Sequence, residues 1–110
     1  MIIEKGNRVI MTRGDDDELT AYCSKPFVSG DVAELTVRRS STAKKVLIHK
    51  TVTDFTEKEG KAVFHFDPED THPLEFGQYE YDVQVTFQDI GVKTIIKPSP
   101  FVIGEECTYE

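Results

Sequence analysis

The stretch Leu74-Glu75-Phe76-Gly77-Gln78-Tyr79-Glu80-Tyr81-Asp82-Val83-Gln84-Val85-Thr86-Phe87-Gln88 decides the fold. From Tyr79 it alternates without a break. Tyr79, Tyr81, Val83, Val85 and Phe87 fall on one side, and Gln78, Glu80, Asp82, Gln84, Thr86 and Gln88 on the other. A repeat of two is the pleat of a β-strand with one dry face and one wet face.

Working outward, the approach to this strand is Leu74, an acidic residue, Gly77 and then Tyr79. That order matches the strand that carries a tyrosine corner in immunoglobulin-like sandwiches. Downstream, Gln88-Asp89-Ile90-Gly91 reads as a hairpin loop with Gly91 in the left-handed position, and Val92–Lys97 as the returning strand. Pro98 and Pro100 lack a donor and are expected to break that ladder, with Phe101–Ile103 resuming it. Upstream, Asp67-Pro68-Glu69-Asp70-Thr71 reads as one helical turn capped by Asp67 and stopped by Pro73. Further strands are expected at Asn7–Thr12, Glu18–Cys23, Val32–Arg39, Lys45–Thr53 and Lys61–Asp67. A turn lies at Arg13–Asp17, and Phe27 and Val28 plug the core from the loop Ser24–Asp31. Gly60 is expected to be left-handed in the connection Asp54–Gly60. The sum is an all-β, immunoglobulin-like antiparallel sandwich of about seven strands with one short helical turn. It forms a single domain over residues 1–110, with loose termini at 1–6 and 104–110. A small antiparallel barrel is the alternative.

Composition narrows the function. The chain has no Trp, and the position two after Tyr79 holds Tyr81 rather than Cys, so the antibody-type Cys–Trp–Cys core is excluded. Asp and Glu outnumber Lys and Arg 20 to 13, for a net charge of −7, which argues against binding nucleic-acid phosphates. No run is long and apolar enough for a membrane span, and Met1–Gly6 lacks the apolar core of a signal peptide. The chain is therefore expected to be made and used without secretion by the Sec route. Cys23 and Cys107 read as free thiols, with a bridge between them as the sharper alternative.

Four constellations bear on chemistry. Arg13-Gly14-Asp15 is an adhesion tripeptide, but it falls where a turn wants Gly and Asp anyway. Asp15-Asp16-Asp17-Glu18 lacks the alternation and Gly of a calcium loop and reads as a solvated face. If Asp54–Gly60 closes a symmetric hairpin, His49 faces His65, Ile48 faces Phe66, Leu47 faces Asp67 and Val52 faces Ala62. A His pair holds zinc or copper only if a third ligand arrives, and none stands at the obvious place. Arg38, Arg39, Lys44 and Lys45 surround a Ser/Thr turn, either to hold an anion or partner carboxylate or simply to blunt strand edges. No nucleophile elbow, glycine-rich phosphate loop or HExxH motif is present. The expectation is therefore no enzyme, no cofactor and no metal.

Phe66-Asp67-Pro68-Glu69-Asp70-Thr71, Leu74, Gly77-Gln78-Tyr79-Glu80-Tyr81-Asp82-Val83-Gln84-Val85 and Phe101-Val102-Ile103 together resemble a group of small proteins of tailed phages and prophages. Gly14-Asp15 and Val37-Arg38-Arg39 match its earlier elements, while Asp16-Asp17 lengthens the acidic run. The group is similar to the immunoglobulin-like N-terminal domain of upper-baseplate proteins. The resemblance implies a non-enzymatic structural part that binds other phage proteins or itself. The expected contact surfaces are the face carrying Leu47, His49, Val63, His65, Arg38 and Arg39 and the edge interrupted by Pro98 and Pro100, in a virion or a bacterial cytoplasm. A carbohydrate- or host-surface-binding module is the alternative, with Tyr22, Phe55 and Tyr109 as its aromatic candidates.

Overall fold

The computed structural model of the chain describes residues 2–5, 7–23, 27–40, 42–53 and 61–104. These form strands β1 (Ile2–Lys5), β2 (Arg8–Thr12), β3 (Asp17–Tyr22), β4 (Val32–Arg38), β5 (Val46–Val52) and β6 (Lys61–Phe66). The short helix α1 (Pro68–Thr71) follows, then β7 (Gly77–Phe87) and β8 (Gly91–Gly104). One sheet has six strands in the order β1-β2-β8-β7-β4-β5, and the other pairs β3 with β6. The fold is an all-β sandwich whose two layers face each other across one core.

The alternating strand is the middle of the large sheet. β7 pairs β4 on one side and β8 on the other, both antiparallel. All five odd-numbered side chains, Tyr79 to Phe87, are buried. Ala33, Leu35 and Val37 of β4 continue the dry face, as do Phe101 and Ile103 of β8 and Val9 and Met11 of β2. The small sheet covers them with Leu19 and Ala21 of β3 and Ala62, Phe64 and Phe66 of β6. Phe27 stacks on Phe87 at 5.9 Å and is buried, whereas Val28 beside it is exposed, so the plug is one residue and not two. The connection at residues 88–90 closes β7 onto β8, with Gly91 at φ +84° in the left-handed region that favours glycine. Cys23 is a half-buried free thiol; Cys107 and Gly60 lie outside the described residues.

Three expectations are corrected. Residues 2–5 are not a loose end but a strand, paired antiparallel with β2 from Ile2↔Met11 to Lys5↔Arg8. Ile2-Ile3 and Val9-Ile10-Met11 are β-rich runs close enough in sequence to pair, and their pairing carries the sheet one strand further. β8 runs unbroken through Pro98 and Pro100. Prolines two apart put their missing donors on the same side of a strand. β7 pairs straight across them, with Glu80↔Pro100 and Tyr81↔Ser99, while β2 engages β8 only from Phe101 onward. The missing donors therefore face a stretch that β2 leaves uncovered. The ladder yields a little later: three steps on β7 from Tyr81 to Gln84 match five on β8 from Ser99 to Thr94, a bulge of two residues. β8 is an inner strand from Phe101 onward, and the prolines lie on the part of it that β2 leaves open.

The third correction concerns β5 and β6, which do not pair with each other. β5 pairs β4 and β6 pairs β3, in opposite sheets. Alternation says that each strand has one dry face, but a connection long enough to cross the ~10 Å between packed sheets can lead to either layer. Crossing gives the large sheet a cover, which a flat hairpin does not.

Candidate functional site

The corner before β7 concentrates the chemistry. α1 is a single turn whose first residue is Pro68, and the amide of Asp67 donates to Asp70 Oδ2 at 2.7 Å. The chain then turns back, and Tyr79 Oη donates to the carbonyl of Glu75 at 2.8 Å. Its ring is buried and Leu74 packs against the same core, while Gly77 takes φ +142° between them. Lys50 of β5 reaches across to Asp70 Oδ2 at 2.6 Å, with about a fifth of each side chain exposed (21% and 23%), and ties the large sheet to α1. The Arg13-Gly14 turn docks on the same corner: the Gly14 amide donates to the buried Thr71 hydroxyl at 2.8 Å, and Arg13 lies 5.0 Å over the Phe76 ring.

The two histidines stand on opposite outer faces of the sandwich. Their expected pairing fails because β5 and β6 belong to different sheets. His49 Nε2 lies 3.2 Å from Glu34 Oε2 on the large sheet. His65 Nε2 on the small sheet lies 3.0 Å from Asp16 Oδ1 and 3.2 Å from Asp67 Oδ1. Among the described residues no group of three or more His, Cys, Asp or Glu is arranged to hold a metal ion. Val63 shares the outer face with His65, paired beside Thr20 of β3. Leu47 turns the other way. The register slips between Val37↔Ile48 and Arg38↔Val46, and the extra residue, Leu47, swings toward the core edge. The expected contact residues therefore do not make one face.

Leu47 instead meets the basic hairpin. An open groove of about 430 Å³ is lined by Arg39, Lys45, Leu47, Pro73, Leu74, Glu75 and Tyr79. Arg39 lies 4.9 Å over the Tyr79 ring, a cation–π stack at the tyrosine corner. Arg38 points to the outer face, 4.0 Å from Asp82 Oδ2. In sequence the cations were visible. Their neighbours Pro73 and Leu74 were not, because only the corner brings them together. Tyr22, an aromatic expected for a carbohydrate platform, is exposed at a shallow gap beside Leu19, Thr20 and Ile95. Phe55 and Tyr109 lie outside the described residues.

Asp82 carries a pH signature. Burial raises its carboxyl pKa above the ordinary 3.8, and the Arg38 guanidinium pulls only partly back. As pH rises from 3.8 through the raised folded value, the folded chain keeps a proton that the unfolded chain has lost. Stability falls across that window, and the cost is complete at neutral pH. Asp82→Asn is expected to raise Tm at pH 7, with the gain vanishing near pH 3, where both carboxyls are protonated. Thermal melts from pH 3 to 7 check this; a variant that is less stable than the wild type at pH 7 sinks it.

No family model matches the chain, and no curated protein sequence matches it.

Proposed function

We propose that this chain is a non-enzymatic structural module of a tailed-phage or prophage particle, of tail or baseplate type, which works by binding neighbouring proteins or further copies of itself. One observation carries the reading. The residues of the resemblance are not scattered: Phe66 to Thr71 end β6 and form α1, and Gly77 to Val85 form most of the central strand. Phe101 to Ile103 pair directly with Gly77 to Tyr79. The likeness therefore coincides with the part of the molecule that specifies its corner and core. A rigid sandwich of this kind presents open strand edges, at β1 and β5 in the large sheet and along β3 and β6 in the small one, to which a neighbour's sheet can add.

Two measurements test it. Particles induced from the source strain and purified on a density gradient are expected to contain tryptic peptides of this chain at a fixed ratio to the major tail protein. Light scattering after size exclusion is expected to show a species larger than a monomer at high concentration. Gradient-purified particles free of the chain, together with a monomer at every concentration, would remove the reading.

A further inference from the structure

We propose that the groove between the β4–β5 hairpin and the tyrosine corner binds an acidic protein segment bearing an apolar side chain. The inference rests on reading the chain as an assembly module and names the chemistry of its partner. The first argument is charge. In a chain of net charge −7, Arg39, Lys44 and Lys45 gather at one hairpin. No described carboxylate comes within ion-pair distance of any of the three, although Glu75 lines the same groove. Cations that no described carboxylate neutralises, on a chain of net negative charge, favour a counter-charge supplied by a partner.

The second argument is orientation. The Arg39 guanidinium sits over the Tyr79 ring, 4.9 Å from its centroid, and that ring is itself held by its hydroxyl bond to Glu75 O. A stacked guanidinium keeps its N–H edge free, in the planar fork that matches a carboxylate. Arg39 is exposed, so that fork is open to a partner arriving from solvent. The third argument is shape. Beside the cations lie Leu47, Pro73 and Leu74, an apolar strip that a free phosphate has no use for and a Leu or Ile side chain does. An acidic segment with one apolar anchor satisfies both halves.

The probe is a fluorescein-labelled peptide, Gly-Glu-Glu-Leu-Glu-Leu-Glu-Glu-Gly, titrated with the full chain by fluorescence polarisation. Saturable binding that weakens with added salt is expected. Arg39→Gln is expected to weaken it about tenfold, equivalent to about 1.4 kcal/mol, and Arg39→Lys about threefold because the fork is lost. Lys45→Gln provides a second cation variant, and Lys93→Gln, which lies outside the groove, leaves binding unchanged. Circular dichroism melts establish that each variant is folded. Replacing every Glu of the peptide by Gln, or every Leu by Ser, is expected to weaken binding at least fivefold, on the scale of a single good contact. The proposal is overturned by no saturable binding, by an Arg39→Gln variant that binds like the wild type, or by equal binding of either control peptide; full competition by equimolar inorganic phosphate also overturns it. If the peptide fails while the chain still travels with particles, the groove assignment alone falls. If the peptide binds but particles lack the chain, the assembly reading falls and the groove stands.

Discussion

Phe101→Ala is expected to cost about 3–5 kcal/mol of unfolding free energy, the range for emptying a fully buried aromatic site. Its ring is fully buried where three strands meet. On β7 it pairs with Tyr79 and on β2 with Val9, while its ring lies 5.9 Å from Phe66 of the small sheet and 5.8 Å from Tyr81. Truncation removes one of the ring contacts between the two layers and leaves a void that the close-packed neighbours fill only in part. A domain of this size melts about 4–8 °C lower for each kcal/mol lost, so Tm is expected to drop by at least about 12 °C. Measured against a total stability of about 5–15 kcal/mol, the loss takes at least about a fifth of what holds the fold together. Phe101→Leu, which refills most of the volume, is expected to recover more than half of the loss. Urea denaturation followed by circular dichroism reads both. A loss below about 1.5 kcal/mol for the Ala variant contradicts the packing described, because a ring in that position loses at least its own transfer free energy.

The reach of sequence reasoning follows the same physics. The central strand was legible because Tyr79 to Phe87 alternate strictly, and alternation is a direct record of one dry face. The bond from Tyr79 to Glu75 was foreshadowed by Leu74 and Gly77, which place a buried ring at the start of that strand. Alternation does not say which layer a strand joins. β5 and β6 each show one dry face, and nothing in Lys45–Thr53 or Lys61–Asp67 distinguishes a hairpin from a crossing, so the His49–His65 pairing failed with the register. The prolines of β8 show the same gap. The rule that proline removes a donor held, but whether the side that donor faces is covered depends on where the pairing with β2 begins. The groove was half legible: its cations stand in sequence around Ser40–Ala43, whereas Leu47 enters through a bulge and Leu74 through the corner, and neither leaves a local signal.

Asp31 is the clearest residue that sequence reading passed over, and its replacement is expected to have the second-largest effect. It reads as the polar end of a loop, yet it is 1% exposed. Its two carboxylate oxygens divide their work: Oδ2 accepts the amide of Val28 at 3.0 Å, and Oδ1 accepts the amide of Gln88 at 3.0 Å. One buried carboxylate thus ties the loop before β4 to the β7–β8 hairpin, beside the stacked Phe27 and Phe87. Asp31→Ala leaves two amides without their acceptor, at about 1–3 kcal/mol each, so a loss of at least about 2 kcal/mol is expected. Asp31→Asn is the sharper test. Asn has the same shape but only one acceptor oxygen, and its amide group would face one of the two N–H donors. The Asn variant is therefore expected to lose nearly as much as the Ala variant, although it is the most conservative change available. Hydrogen exchange reads the site directly: in both variants the Gln88 or Val28 amide is expected to exchange faster by tenfold or more, roughly 1.4 kcal/mol of lost protection, while the amides of β3 and β6 follow only the global change. An Asn variant as stable as the wild type, with both amides still protected, means that the carboxylate does not bridge the two loops, and the account of that end of the sandwich fails.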